Sequence, residues 1–428
     1  WWSKVLISDH SSNLFNDPMA MRTQPEGLGV GLVVPVSTAN GSSEPLGPTS
    51  PIIIGVNNLS SSKTTVDDYS DWTVTFSWSS NNNNFKATSG IAMPFLYFQK
   101  GDNDIASVVI NDGEVSIHNE MLLVQNSQDG AQFAIYAPTG SVWTQSGTTY
   151  TSSLNGYNYW SMAFLPGGNA LSVANLWKQF AYVEPTDTRV SWSYDEQTSI
   201  CRTEFSTSVR INEGSNTNII QGLLPHQWAH LSQESNSNIS SYSLNSIRGE
   251  IKLLTSNSFS TERIFHGILP TLPIKNISND SFNPSLLDEK IRYLEDEPLS
   301  TWTDSYNEGQ VMNRLVQTAR IANEMGNIES RNKILNTIKD RLEDWLSAEN
   351  GEVAFLFYYQ PTWTSLIGYP AGHGQDTNLN DHHFHWGYFI HAASFLEQFQ
   401  PGWATQWGSM VNLLISDAAN IDRSNTLF

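Results

Sequence analysis

The segment Asp381-His382-His383-Phe384-His385-Trp386-Gly387-Tyr388-Phe389-Ile390-His391 sets four of the chain's ten histidines beside one carboxylate. No other stretch comes near that density, and three kinds of chemistry fit it. The first is metal binding: Asp381 and His385 are four residues apart and His382 and His385 three, spacings that bring side chains onto one face of a helix. Zinc hydrolases built on such spacing add a general base between the ligands, where His383 and Phe384 stand here, so the expectation is no metal and no cofactor. The second is structural, with Asp381 as a helix N-cap and the imidazoles as hydrogen-bonded wall residues. The third is a carbohydrate cleft, in which Asp381 is a catalytic carboxyl while imidazoles and indoles grip hydroxyls and ring faces. Residue types alone leave all three open.

The string from Asp381 through Leu396 closely resembles the signature of glycoside hydrolase family 81, the endo-β-1,3-glucanases, which normally carries Tyr at the place of Trp386. Other segments are similar to that family in the same order along the chain. These are Tyr159-Trp160-Ser161-Met162-Ala163, Leu224-Pro225-His226-Gln227-Trp228, and Asp304-Ser305-Tyr306 with Gly309 ahead of Arg314-Leu315. The resemblance covers almost the whole chain and is strongest around Asp381. It implies a multidomain β plus α protein: an N-terminal β-supersandwich over 1–240, a small α/β linker over 241–283, and over 284–428 the first part of a C-terminal (α/α)6 barrel. It implies endo-acting hydrolysis of β-1,3-glucan with inversion, a secreted or cell-wall location, and Asp381 as the general acid. His385, Tyr388, Trp363, His382 and Tyr306 are carried over as substrate-binding positions. The alternative is a non-catalytic glucan-binding protein on the same scaffold. Two positions depart from the family pattern, Gln360 where Asp is usual and Gln310 where Lys is usual, and local hydrogen bonding is expected to differ there.

The acid's role sets a physical condition. A carboxyl that protonates a glycosidic oxygen near neutral pH needs its proton held, by burial or by a neighbouring carboxylate. Helix-terminal amides pull the other way, because they stabilise the ionised form. Asp381 must therefore turn its carboxyl away from the backbone N–H groups, or it is not the acid. Inversion also needs a second carboxylate as base, roughly 6.5–9.5 Å away. In the family that base comes from a Glu-rich segment well downstream, and after Asp381 this chain offers Glu397, Asp417 and Asp422, none in a matching context. Residues 1–428 alone are therefore expected to bind glucan poorly and cleave it negligibly, with a C-terminal segment or partner completing the barrel.

Elements that must position these residues can be read from the hydrophobic period. Up to about residue 255 the period is two, punctuated by Gly, Asn, Asp and Ser. Trp72, Val74, Phe76 and Trp78 alternate with small polar residues, as do Val190, Trp192 and Tyr194. Asn111-Asp112-Gly113 between Val108-Val109-Ile110 and Val115-Ser116-Ile117 predicts a hairpin. Many such strands in succession predict a large antiparallel sandwich. After about residue 283 the period becomes helical. Asn283-Pro284 predicts an N-cap followed by Leu286, Leu287, Ile291 and Leu294, and further stripes run through Val311 to Met325, Leu335 to Trp345, Phe384 to Leu396 and Trp403 to Ile415. That is five or six helices where a closed (α/α)6 barrel uses twelve. Tyr358 to Asn380 has neither period and predicts a long functional loop.

Composition narrows the partners. Lys+Arg of 22 against Asp+Glu of 42 gives a net charge of −20, which repels phosphate backbones and anionic lipid, so neither nucleic acid nor a membrane is an expected partner. A neutral polysaccharide meets no such repulsion, and 15 Trp, 15 Tyr and 19 Phe offer flat apolar faces. One cysteine, Cys201, rules out an intrachain disulfide framework. Trp1-Trp2-Ser3-Lys4 shows no basic region leading into an apolar stretch, so a secretory leader is expected to be absent from this sequence. Sequons at Asn40, Asn58, Asn238, Asn276 and Asn279 are compatible with a secretory route.

Overall fold

A computed structural model describes all residues except 38–42, 48–50, 81–82, 127–128, 237, 268–282, 297–302 and 423. Asn40, Asn276 and Asn279 lie outside the described residues, as does most of the connector from 268. The chain forms two compact units, Trp1–His266 and Gly267–Phe428.

The first unit is β-rich, with sheets of seven and eight antiparallel strands. Their shared core includes Leu28, Ile54 and Val108 from one sheet and Phe76, Trp78, Phe133 and Met162 from the other. In the strand Thr73–Ser80 the expected alternation holds: Val74, Phe76 and Trp78 are buried. Register brings Trp78 opposite Phe85 and Phe98 opposite Trp160, making one aromatic stack with centroids 5.0–5.9 Å apart. Each ring so buried contributes about 1.5–3 kcal/mol by removal from water. The Trp78 indole N–H, which would otherwise be stranded, donates to the Gln24 carbonyl at 3.0 Å.

Two expectations change here. Ala106–Val109 and Glu114–His118 do not form a hairpin: the first pairs with Ile52–Val56 and Thr149–Ser152, the second with Met121–Gln125 in the other sheet. Gly113 sits at the crossing with φ +123, and a Cβ there would lie 2.5 Å from the Gln125 carbonyl oxygen. A tight turn and a sheet-to-sheet corner both require such a glycine, so the motif did not separate them. The alternation through Val190, Trp192 and Tyr194 lies on the exposed face of the Val183–Asp195 strand, not in a core. Strands Ile239–Ser246, Gly249–Thr255 and Ser258–Ile264 also belong to this unit, so its sheets run past residue 240.

The second unit is mainly helical: Pro284–Leu294, Ser305–Glu324, Ile328–Trp345, His382–Phe399 and Trp403–Ala419. Asn283, Asp304 and Asn327 cap the first three, each side chain accepting a first-turn amide. In the first helix only Ile291 of the expected stripe is buried, and Leu286 is exposed. The stripes of the next two meet in a core with Trp386, Phe389, Phe395 and Leu396. Gly326, at φ +76, ends the second helix with the left-handed residue that an L side chain resists. The stretch expected as a plain loop contains a β-hairpin, Leu356–Gln360 with Ser365–Tyr369, whose period-two pattern is too short to stand out among turn residues. The hairpin packs tightly against the helices: a Cβ on Gly368 would lie 3.0 Å from Ser305 and 3.2 Å from Trp386.

Glu308 has no exposed side-chain surface and is gripped by Arg341 through two hydrogen bonds of 2.7 and 2.6 Å. Burial raises the Glu308 carboxyl's pKa and the guanidinium opposes that rise. Arg341→Met would leave the carboxyl buried without its counter-ion, and the second unit is expected to lose about 3–5 kcal/mol in denaturant unfolding. A loss under about 1 kcal/mol would show that Glu308 tolerates solitude by taking up a proton.

Candidate functional site

The His382–Phe399 helix begins at Asp381, which has φ 56 and ψ 28 in the left-handed region. Its backbone carbonyl accepts from the amides of Phe384 and His385, so the helix is entered normally. Its side chain does not cap the helix; it accepts instead from Asn380 Nδ2 at 2.9 Å. An Asp in the usual N-cap conformation would spend its carboxylate on the first-turn amides. With its left-handed backbone Asp381 makes no such bond to the first turn.

Around it, Tyr306 is the second residue of the Ser305–Glu324 helix. Its ring stands edge-on to His373 at 4.3 Å, 5.3 Å from His385 and 6.1 Å from Tyr388. Tyr388 and Tyr306 are half-buried. Tyr388 lies against Gly309, where an added Cβ would come within 2.6 Å of the ring, so the helix surface is hollowed to receive it. Burial, then the neighbouring Tyr306, pushes the Tyr388 phenol up and keeps it neutral. Gln310 Nε2 donates to the Tyr306 hydroxyl at 3.0 Å, and Gln360 Oε1 accepts from the Thr362 amide at 2.7 Å inside the hairpin turn. These are the local bonds that the two departures from the family pattern make. Trp363 stands at the tip of that hairpin with 45% of its surface exposed.

His385 and His382, expected on the substrate, point into the protein. His385 is fully buried, and its Nδ1 meets Ser305 Oγ at 2.7 Å. Burial first, then His382, pushes its pKa down to about 4, so it is neutral at ordinary pH. His382 Nδ1 lies 2.6 Å from Asp417 Oδ2, and its Nε2 lies 3.1 Å from both the carbonyl and the side-chain nitrogen of Gln375. Both rings therefore brace the wall behind Tyr306 and Asp381. His385 Nε2 is buried without a hydrogen-bond partner, and among the described residues no three His, Cys, Asp or Glu side chains cluster to hold an ion.

Sequence reasoning missed the braces themselves. Ser305 adjoins a flagged residue and had that signal. Gln375 and Asp417 carried none, since their partners are reached only through the fold. Asp417, weighed only as a base, is nearly fully buried with four donors on it: Ser365 Oγ at 2.8 Å, the Leu366 amide at 2.8 Å, His382 at 2.6 Å and the Trp386 indole at 2.5 Å. Burial works to raise its pKa, but the donors hold it below the usual carboxylate range. Asp304 is likewise held low, with bonds from Asn307, Tyr306 and Thr303 outweighing burial. Glu397 accepts the amides of Gly402 and Ala404, and Asp422 accepts from Ser424. Asp376 stands exposed in the loop.

Residues 232–428 match the glycosyl hydrolase family 81 C-terminal domain. The chain is 34% identical over its whole length to a glucan endo-1,3-beta-D-glucosidase of Acetivibrio thermocellus, and 30% identical to one of Thermobifida fusca. It spans 55% and 56% of those proteins' lengths. A solved family 81 glycoside hydrolase from Clostridium thermocellum superposes with a TM-score of 0.88 at 34% identity, covering all of this chain and 59% of that one.

Proposed function

From the match of residues 232–428 to the glycosyl hydrolase family 81 C-terminal domain and the whole-chain similarity to its members, we propose that the chain belongs to that family and that the protein it comes from cleaves internal β-1,3-glucosidic bonds, with Asp381 as general acid of an inverting reaction. The observation that carries this reading is the conformation of Asp381. Its left-handed backbone leaves the carboxyl off the helix amides, at the start of the helix whose Tyr388 stands in an aromatic group with Tyr306 and His373. Tyr306, Tyr388 and Trp363 supply faces for sugar rings, with His382 and His385 holding that wall from behind. The helices of residues 284–428 form the first part of an (α/α)6 barrel, after a β-supersandwich and a short linker. The general base comes from beyond residues 1–428, in the part of the relatives' length that this chain does not span. The acidic surface suits work on a neutral polysaccharide outside the cell or in its wall.

A glucan-binding role without cleavage is the competing reading, favoured by the engagement of the carboxylates buried near Asp381. Reducing-sugar release by the whole protein from a linear β-1,3-glucan, beside a β-1,4-glucan control, separates the two. Release from the first substrate alone is expected; binding without release would support the competitor, and equal release from both would sink the assignment of linkage.

A further inference from the structure

The left-handed start of the His382–Phe399 helix is a strained conformation for a residue other than glycine. Asp takes this conformation as a single residue more readily than most, and it persists where the surroundings determine it. Relaxation would be easy for Asp381: a turn into the extended region would give it an ordinary N-cap geometry with two amide donors. Something must hold the first turn against that relaxation. The bonds around Asp417 identify the holder.

One oxygen of Asp417 takes His382 Nδ1 and the Trp386 indole N–H, both from the helix's opening turns. The other takes the hydroxyl of Ser365 and the amide of Leu366, from the second strand of the hairpin. Gln375 completes the frame: its carbonyl and side-chain nitrogen meet His382 Nε2, and its side-chain oxygen accepts the Gly368 amide at 3.2 Å. The carboxylate thus pins the residue immediately after Asp381 to a sheet that is itself wedged against Ser305. Charge-assisted bonds of this length are the strong kind, and all four sit away from solvent, where they gain most.

We propose that Asp417 is a positioning residue for the reaction: by clamping His382 and Trp386 to the Ser365–Tyr369 strand it holds the left-handed entry of the helix and keeps the Asp381 carboxyl off the helix amides. The inference rests on Asp381 being the general acid. Without the clamp, Asp381 falls back to an ordinary N-cap and its carboxylate is taken up by the first-turn amides, which favour its charged form. A general acid works only while protonated, so the alkaline limb of the kcat profile moves to lower pH. The titratable groups around this turn are His382, His383 and His385 of the same helix, His373 of the loop, Asp304 at the neighbouring cap and Asp417 itself. A change confined to the alkaline limb, in a variant that leaves the histidines in place, points to the acid.

The test uses the whole protein and two variants, Asp417→Asn and the milder Trp386→Phe, which removes one donor from the clamp. Expected for Asp417→Asn is a fall in kcat of about tenfold or more with KM within about twofold, and an alkaline limb displaced downward. Trp386→Phe should move the limb in the same direction by less. If both fold and neither moves it, or if KM rises while kcat holds, Asp417 is only a packing residue and the proposal fails. Should Asp417→Asn not fold, Trp386→Phe decides alone by the same criterion. An Asp381→Asn control that keeps its turnover would instead overturn the reading of the acid, a separate failure.

Discussion

Asp381→Asn in the whole protein is expected to lower kcat on laminarin by about 10³-fold while leaving oligosaccharide affinity within a few-fold. The amide has the size of the carboxyl and can still accept from Asn380, so the site's shape survives. What it lacks is a proton that can pass to the leaving glycosidic oxygen. The aromatic surfaces of Tyr306, Tyr388 and Trp363 are untouched by the change and should keep binding sugar. Turnover within tenfold of the parent would remove Asp381 from the chemistry. A parallel collapse of affinity and melting temperature would give it a structural part instead.

Expressed as residues 1–428 alone, the protein should release reducing sugar at least about 10³-fold more slowly than a form extending over the rest of its relatives' length. An inverting reaction needs a base roughly 6.5–9.5 Å from the acid to activate water on the opposite face of the sugar. The carboxylates buried around the signature helix have other work: Asp417 holds four donors, Asp304 caps a helix, and Glu308 is bound by Arg341. Glu397 lies sixteen residues along the same helix, about 24 Å at 1.5 Å per residue. Asp376, exposed in the loop just ahead of the signature helix, is the internal carboxylate the test removes. A rate equal to that of the longer form, abolished by Asp376→Asn, would place the base within this chain after all.

The site's legibility was uneven for physical reasons. Asp381 could be singled out because a dense string of rare residue types is a one-dimensional signal, and the change from period two to helical period located the helix that follows it. Helix ends followed from local chemistry, as at Asn283, Asp304 and Asn327, where cap and amide are neighbours in the chain. Partner choice between strands was not local. Val108 and Val115 looked like two arms of one turn, yet joined different sheets, because a flexible glycine serves a corner as well as a hairpin. The side chains that face inward were misassigned for a similar reason. His385 and His382 flank the exposed pair His383 and Phe384 in sequence, and only the bonds to Ser305 and Asp417 show that both rings are engaged inside the unit. Asp417 was read as a failed base because a carboxylate's donors cannot be seen until the fold brings them together.

The exposed position of Trp363 gives the protein a built-in optical label. Among the described tryptophans of the same unit, Trp345 and Trp386 are fully buried, Trp403 nearly so and Trp407 half-buried. Dissolved iodide or acrylamide collides with an indole only where solvent reaches it, and emission from an exposed indole lies to the red of that from a buried one. Of the light from these described indoles, the quencher-sensitive, long-wavelength part will therefore come disproportionately from the hairpin tip. A sugar ring laid across Trp363 would shield it and shift its colour toward the blue, so occupancy of the site can be followed in a cuvette without any attached dye.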